Sequence, residues 1–189
     1  MKKILLLLMS VLLLVGCKSR QQQSHEVASE FDQQKEETAL REMVGEVYGM
    51  VNERYNGNYD PTDYEGQTLE LLYTTKDYQL VYDSLYEIEQ RMYDEGHPND
   101  AFFAEGGNVW VMGTHSLPFT TEVVKVVFDD EQHAQVWFIL KPVEGEEIDV
   151  IWLMEKADDR WRIQDFIEAY EDYEFSYLDH MRDYIKRKQ

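Results

Sequence analysis

The chain has 189 residues, with 38 acidic against 18 basic side chains and a formal net charge of −20. A surface this acidic repels nucleic acid and anionic head groups, and a single cysteine excludes an internal disulfide framework. The length accommodates one domain plus a short appendage, and that domain has to hold itself together by packing alone.

The appendage is N-terminal. Lys2 and Lys3 precede an apolar run from Ile4 to Val15 and then Gly16, so residues 1–16 read as a secretory leader. The run is short for a membrane span, which needs about 20 apolar residues. "LVGC", Leu14 to Cys17, resembles the lipobox of bacterial lipoproteins. That resemblance implies cleavage before Cys17, a diacylglycerol on its thiol and acylation of the new amino group. Several acyl chains on one residue anchor firmly where a single chain binds only marginally. The alternative is an ordinary secretory leader with an incidental cysteine. Residues 17–34 are polar, with Gln21, Gln22 and Gln23 in a row, and read as the lipidated cysteine followed by a flexible tether. Lys18 is not acidic, so the segment is unlike an inner-membrane retention signal. The expected address is the cell envelope, on the outer membrane facing the periplasm.

Residues 35–189 form the expected folded domain. Leu40, Met43, Val44, Val47, Val51 and Tyr55 recur at steps of three and four, which predicts a helix over 35–55. "NGNYDPTDYEG" breaks it. A second helical region runs from Leu69 to Met92 with an interruption at "TTKD", where Thr74 is expected to cap a new start with Asp77 at the third helical position. Tyr78, Val81, Leu85, Ile88 and Met92 make its inward stripe. "EGHPND" ends that helix, and Ala101 to Phe119 is aromatic and glycine-rich around a strand-like "NVWVMG".

The period then changes to two. "TTEVVKVVF", "HAQVWFIL", "IDVIWLM" and "WRIQDF" are separated by short polar turns, which predicts an antiparallel meander. Ala134, Val136, Phe138 and Leu140 share one face of the second strand; His133, Gln135, Trp137 and Ile139 share the other. A closing helix is expected over Ile167 to Lys188, with Tyr170, Tyr173, Tyr177, Met181 and Tyr184 at helical spacing and "KRKQ" at its cation-favouring end. Helices, then strands, then a helix make an α+β domain with helices packed on a curved antiparallel sheet.

This order is similar to that of an uncharacterised family of bacterial lipoproteins with the cone-shaped fold of the cystatin-like and nuclear transport factor two-like group. The likeness spans Leu40 to Tyr184 and rests on "NDAFFAEG", the meander from Val123 to Leu153 and the closing "EKADDRWRIQDF". It implies a cone with Trp161 and Ile163 pointing inward, and an envelope address. It brings no established activity, and fold alone does not license function.

Few residues point to chemistry. The histidines at 25, 97, 115, 133 and 180 are dispersed, with no His or Cys partner at ligand spacing, so no metal and no cofactor are expected. "NGNYDPTDYEGQ" starts like a calcium loop at Asn56, Asn58 and Asp60, but Pro61 and Gln67 stand where the glycine and closing glutamate belong. Ser84, Ser116 and Ser176 lie outside any nucleophile elbow, and "EGGNVWVMG" lacks the lysine of a phosphate cradle. An isomerase would need a buried carboxylate such as Asp100, Asp149 or Asp165 beside a hydroxyl from Tyr48, Tyr78 or Tyr82.

The aromatic residues carry more. In cone folds the segment before the sheet edges the cavity, so Phe102, Phe103 and Trp110, with Tyr48, Tyr82 and Asp100, are candidate pocket residues for a small apolar or glycan ligand. The competing reading has them simply filling the core. Val123, Val127, Trp137 and Ile139 are a candidate patch for an envelope protein or a homodimer, unless the C-terminal helix covers them. The expectation is a membrane-anchored, non-enzymatic binding or interaction domain. The alternatives are a cone-fold isomerase or hydrolase using a buried carboxylate, and an acidic immunity-type inhibitor of a basic toxin.

Overall fold

The computed structural model describes residues 31–55, 68–97, 102, 109–112 and 118–189. The leader, Cys17 and the tether up to residue 30 lie outside them, as does the "NGNYDPTDYEG" break. The folded body begins earlier than residue 35. Phe31 sets its ring edge-on to Phe128 at 5.4 Å, and Asp32 Oδ1 accepts from the Lys35 amide, satisfying an orphan donor at the start of the first helix.

Helix α1 runs Gln33–Tyr55 and buries Leu40, Val44, Val47, Tyr48 and Val51. A short α2 (Leu69–Tyr73) and a long α3 (Lys76–Asp94) follow. The interruption falls where "TTKD" predicts it, but the cap is Thr75, whose hydroxyl accepts from the Tyr78 amide. Thr74 instead ends α2 and donates its hydroxyl to Glu70 O. Both threonines are extended, and the Thr75 amide donates to Ile163 O, so the break docks on the sheet edge. That tertiary contact moves the cap by one residue. Gly96, at φ +84, ends α3 in the left-handed conformation that glycine adopts without strain.

Five strands follow: β1 (Phe119–Phe128), β2 (His133–Pro142), β3 (Ile148–Ala157), β4 (Arg160–Ala169) and β5 (Glu174–Ser176). They pair antiparallel in chain order, and the sheet is not strongly curled. The β3–β4 hairpin turns on Asp158 and Asp159, both at positive φ, as a two-residue turn requires. Helix α4 spans only Tyr177–Lys188. Ile167 to Ala169 belong to β4, and Tyr170 and Tyr173 stack at 4.5 Å across the turn into β5. A tight turn places residues three apart side by side as a helix does, which is why their spacing read as helical. Val109 to Met112 form a buried turn and no strand, with Met112 at φ 45.

One face of the sheet, here the inner face, carries Ala134, Val136, Phe138 and Leu140 of β2 opposite Met154, Trp152, Val150 and Ile148 of β3. It packs against α1, α3 and α4 in one apolar cluster that also takes in Trp161 and Ile163. Each large side chain fully buried there contributes roughly 1.5–3 kcal/mol, so this face is the main source of stability.

The outward rim of β1 is closed by α1. Asn52 donates its amide to Phe119 O at 2.8 Å and accepts from Phe119 N at 2.7 Å, while Arg41 donates to Val123 O. A side-chain amide there takes the place a neighbouring strand would occupy.

Candidate functional site

Trp110 and Phe102 are 1% and 3% exposed and belong to the apolar core cluster. The Trp110 indole donates to Glu70 and its ring sits edge-on to Phe166 at 4.8 Å. The Phe102 amide donates to the Glu89 carboxylate, and its ring packs between His180 and Tyr184. Phe103 and Asp100 lie outside the described residues. Glu70 and Glu89 are themselves buried, and sequence reasoning missed both. The available signal was an acid within an inward stripe: Glu89 follows Leu85 by four positions and adjoins Ile88.

The centre of the inner face is a layer of rings. Tyr48 of α1 lies nearly parallel to Trp152 at 6.0 Å, and Phe138 meets both edge-on. Phe166 continues the layer from Trp152 to Tyr78 of α3. Tyr48 Oη, Tyr78 Oη and Trp152 Nε1 are buried and, among the described residues, have no hydrogen-bond partner. Burial pushes both phenol pKa values up, and Tyr177 adds to each; Glu70, Asp165 and Tyr82 add to Tyr78. Tyr177, likewise raised chiefly by burial, donates to Glu168 Oε2 at 3.2 Å. All three phenols therefore remain protonated donors. Tyr82, also on α3, is half-buried nearby.

A buried donor without an acceptor costs about 1–3 kcal/mol. Three of them, from α1, α3 and β3, converge on one aromatic layer. The rings around these donors pack against one another, so the three polar atoms sit within a filled aromatic layer.

The carboxylates have other work. Asp165 Oδ1 accepts from the Phe166 and Leu178 amides at 2.7 and 3.0 Å, and Oδ2 accepts from the Ser176 hydroxyl at 2.6 Å. Burial raises its pKa, and those three hydrogen bonds only partly reverse the shift. Its acceptor sites are spent tying β4 to the start of α4, which argues for a structural carboxylate over a proton-transfer base. Asp149 is exposed on β3. Among the described residues no three His, Cys, Asp or Glu side chains are placed to hold a metal ion.

The candidate surface patch divides. A bulge at Val124 shifts the β1 register, so Val123 pairs with Phe138 and turns inward. Lys125 pairs with Trp137 and Val127 with Gln135 on the outer face, where Ile139 also lies. One inserted residue reverses the face of everything before it. Val127 is 40% exposed, Trp137 is half-buried, and Lys125 Nζ lies 3.9 Å above the Trp137 ring. Helix α4 packs against α3, β4 and β5, away from the β1–β2 side. No protein family, characterised protein or solved structure matches the chain.

Proposed function

We propose that the protein is an envelope lipoprotein, anchored through Cys17 in the outer membrane and facing the periplasm, whose folded body binds a small uncharged ligand without transforming it. The lipobox "LVGC" supports the anchor. The open meander with helices on one face supports the cone-family reading, with less curvature than that family implies.

The observation that carries the binding role is the trio of buried, unpartnered donors Tyr48 Oη, Tyr78 Oη and Trp152 Nε1. The charged groups bearing on Tyr78 and Tyr177 are carboxylates, Glu70, Asp165 and Glu168, so an anionic ligand is repelled. An apolar molecule with carbonyl or ether oxygens fits the donors and the rings together.

Tyr78→Phe separates this role from simple core filling. Removing a donor that bonds to nothing should leave stability equal to the parent or up to about 1 kcal/mol higher. The same variant should lose the thermal shift that uncharged ketones and esters give the parent. An equal shift in both proteins, or none in the parent, overturns the binding role. The anchor has its own test: mass spectrometry of the exported protein should find a triacylated N-terminal Cys17, and a free thiol or a retained Met1 would contradict it.

A further inference from the structure

A groove of about 520 Å³ lies between α1, the end of α2 and the start of β4. Ala39, Met43, Leu72 and Tyr73 give it apolar walls, and Lys35, Arg160 and Arg162 stand around it. Among the described residues none of these three cations makes an ion pair; Arg162 donates one guanidinium N–H to Leu72 O. Elsewhere Arg41 is paired with Glu37, Lys141 with Glu122 and Glu147, Lys156 with Glu36, Arg182 with Asp179 and Lys186 with Asp183, while Lys76, Arg91, Lys125, Arg187 and Lys188 are dispersed and make no ion pair among the described residues. In a chain with 38 acids to 18 bases, three unpaired cations around one groove run against the composition.

The carboxylates of the groove, Glu36, Glu46 and Asp159, form no direct ion pair with these cations among the described residues, although the Lys35 charge acts on Glu36. Glu36 accepts from Lys156 and from the Trp161 indole, both at 2.7 Å, and Glu46 accepts from the Tyr73 hydroxyl at 2.8 Å. Asp159 remains, at the hairpin turn. With Lys156 on Glu36, the cations Lys35, Lys156, Arg160 and Arg162 face the carboxylates Glu36, Glu46 and Asp159, a slight local excess of positive charge on an acidic body.

We infer that this groove binds a small organic monocarboxylate, its carboxylate held by Arg160 and Arg162 with Lys35 beside them, and its apolar body lying on Ala39, Met43, Leu72 and Tyr73. Guanidinium forks match a planar carboxylate in two parallel hydrogen bonds. The net charge of −20 disfavours a polyanion, so one negative charge on an apolar stem is the chemistry that fits. The volume is within the range of small-molecule sites, about 300–1,000 Å³. The inference stands apart from the interior site and from the lipid anchor.

The probe is 3-phenylpropionate, titrated into the full-length chain in detergent at low salt and followed by calorimetry, with 3-phenylpropanamide as the uncharged control. The carboxylate should bind, and the amide should bind at least about tenfold more weakly. Arg160→Gln alters a side chain with no hydrogen bond or ion pair among the described residues, so it should keep the parent's unfolding temperature while weakening phenylpropionate at least about tenfold. Tyr78→Phe should leave phenylpropionate unaffected, which separates this groove from the aromatic interior. Equal affinity for acid and amide, parent-like affinity in Arg160→Gln, or no heat with either compound overturns the inference. Equal displacement by inorganic phosphate at the same concentration overturns the carboxylate assignment.

Discussion

The rim of the core and its centre treat buried polar atoms in opposite ways. At the rim Glu70 meets the Trp110 indole, Glu89 meets the Phe102 amide, and Asp165 meets three donors. At the centre Tyr48, Tyr78 and Trp152 offer donors to which the described residues supply no acceptor. The rim contacts fix the course of the chain, since they fasten Phe102, Trp110 and the start of α4 to the helices and sheet. The central donors fix nothing, and each subtracts from stability. Polar groups that return nothing to the architecture are the ones to examine for binding.

The contrast breaks first at Asp165. Asp165→Ala leaves two backbone amides and the Ser176 hydroxyl unmet, and should lower unfolding free energy by about 3 kcal/mol or more in urea titrations. A loss below about 1 kcal/mol would remove the distinction between rim and centre. Trp110→Phe keeps most of the ring volume but takes the indole donor from Glu70, and should cost about 2 kcal/mol. Tyr78→Phe, at the centre, is the near-zero reference against which both are read.

A pH series sharpens the comparison. Burial raises the Asp165 pKa, so the folded chain holds that proton more tightly than the unfolded chain does. Its contribution is fully present below the ordinary Asp value, about 3.9, and is lost as pH rises through the raised value. Glu36 is the opposite case. Burial acts to raise its pKa, but the hydrogen bonds from Lys156 and Trp161 together with the charges of Lys156 and Lys35 outweigh it, and the net shift is downward. Its contribution is present above about 4.3 and is lost as pH falls through the depressed value. Asp165→Asn and Glu36→Gln should therefore change the acid-limb slope of stability in opposite directions.

Much of the architecture was legible because it follows from local periodicity. The inward stripe of α1, the alternation on β2 and the polar turns of the meander each determine a face without outside help. Misplaced features depend on contacts distant in sequence. The cap fell to Thr75 because Ile163 holds its amide, and Val123 turned inward because β1 bulges at its neighbour. The candidate site was half legible for the same reason. Tyr48, Tyr78 and Tyr82 stood out as possible hydroxyl donors, but Trp152 did not, since a strand sequence does not reveal whether an indole N–H will find an acceptor. Trp110 and Phe102 stood out as aromatics, and only their partners Glu70 and Glu89 identify them as fastenings.

Asn52 closes the β1 rim by imitating a strand with one amide group. At Phe119 an incoming chain finds its hydrogen-bonding groups already occupied, and at Val123 Arg41 holds the carbonyl. Edge-to-edge growth into fibrils has no foothold along that stretch. A domain with a single cysteine, and so without an internal disulfide, gains resistance to polymerisation at these points from Asn52 and Arg41.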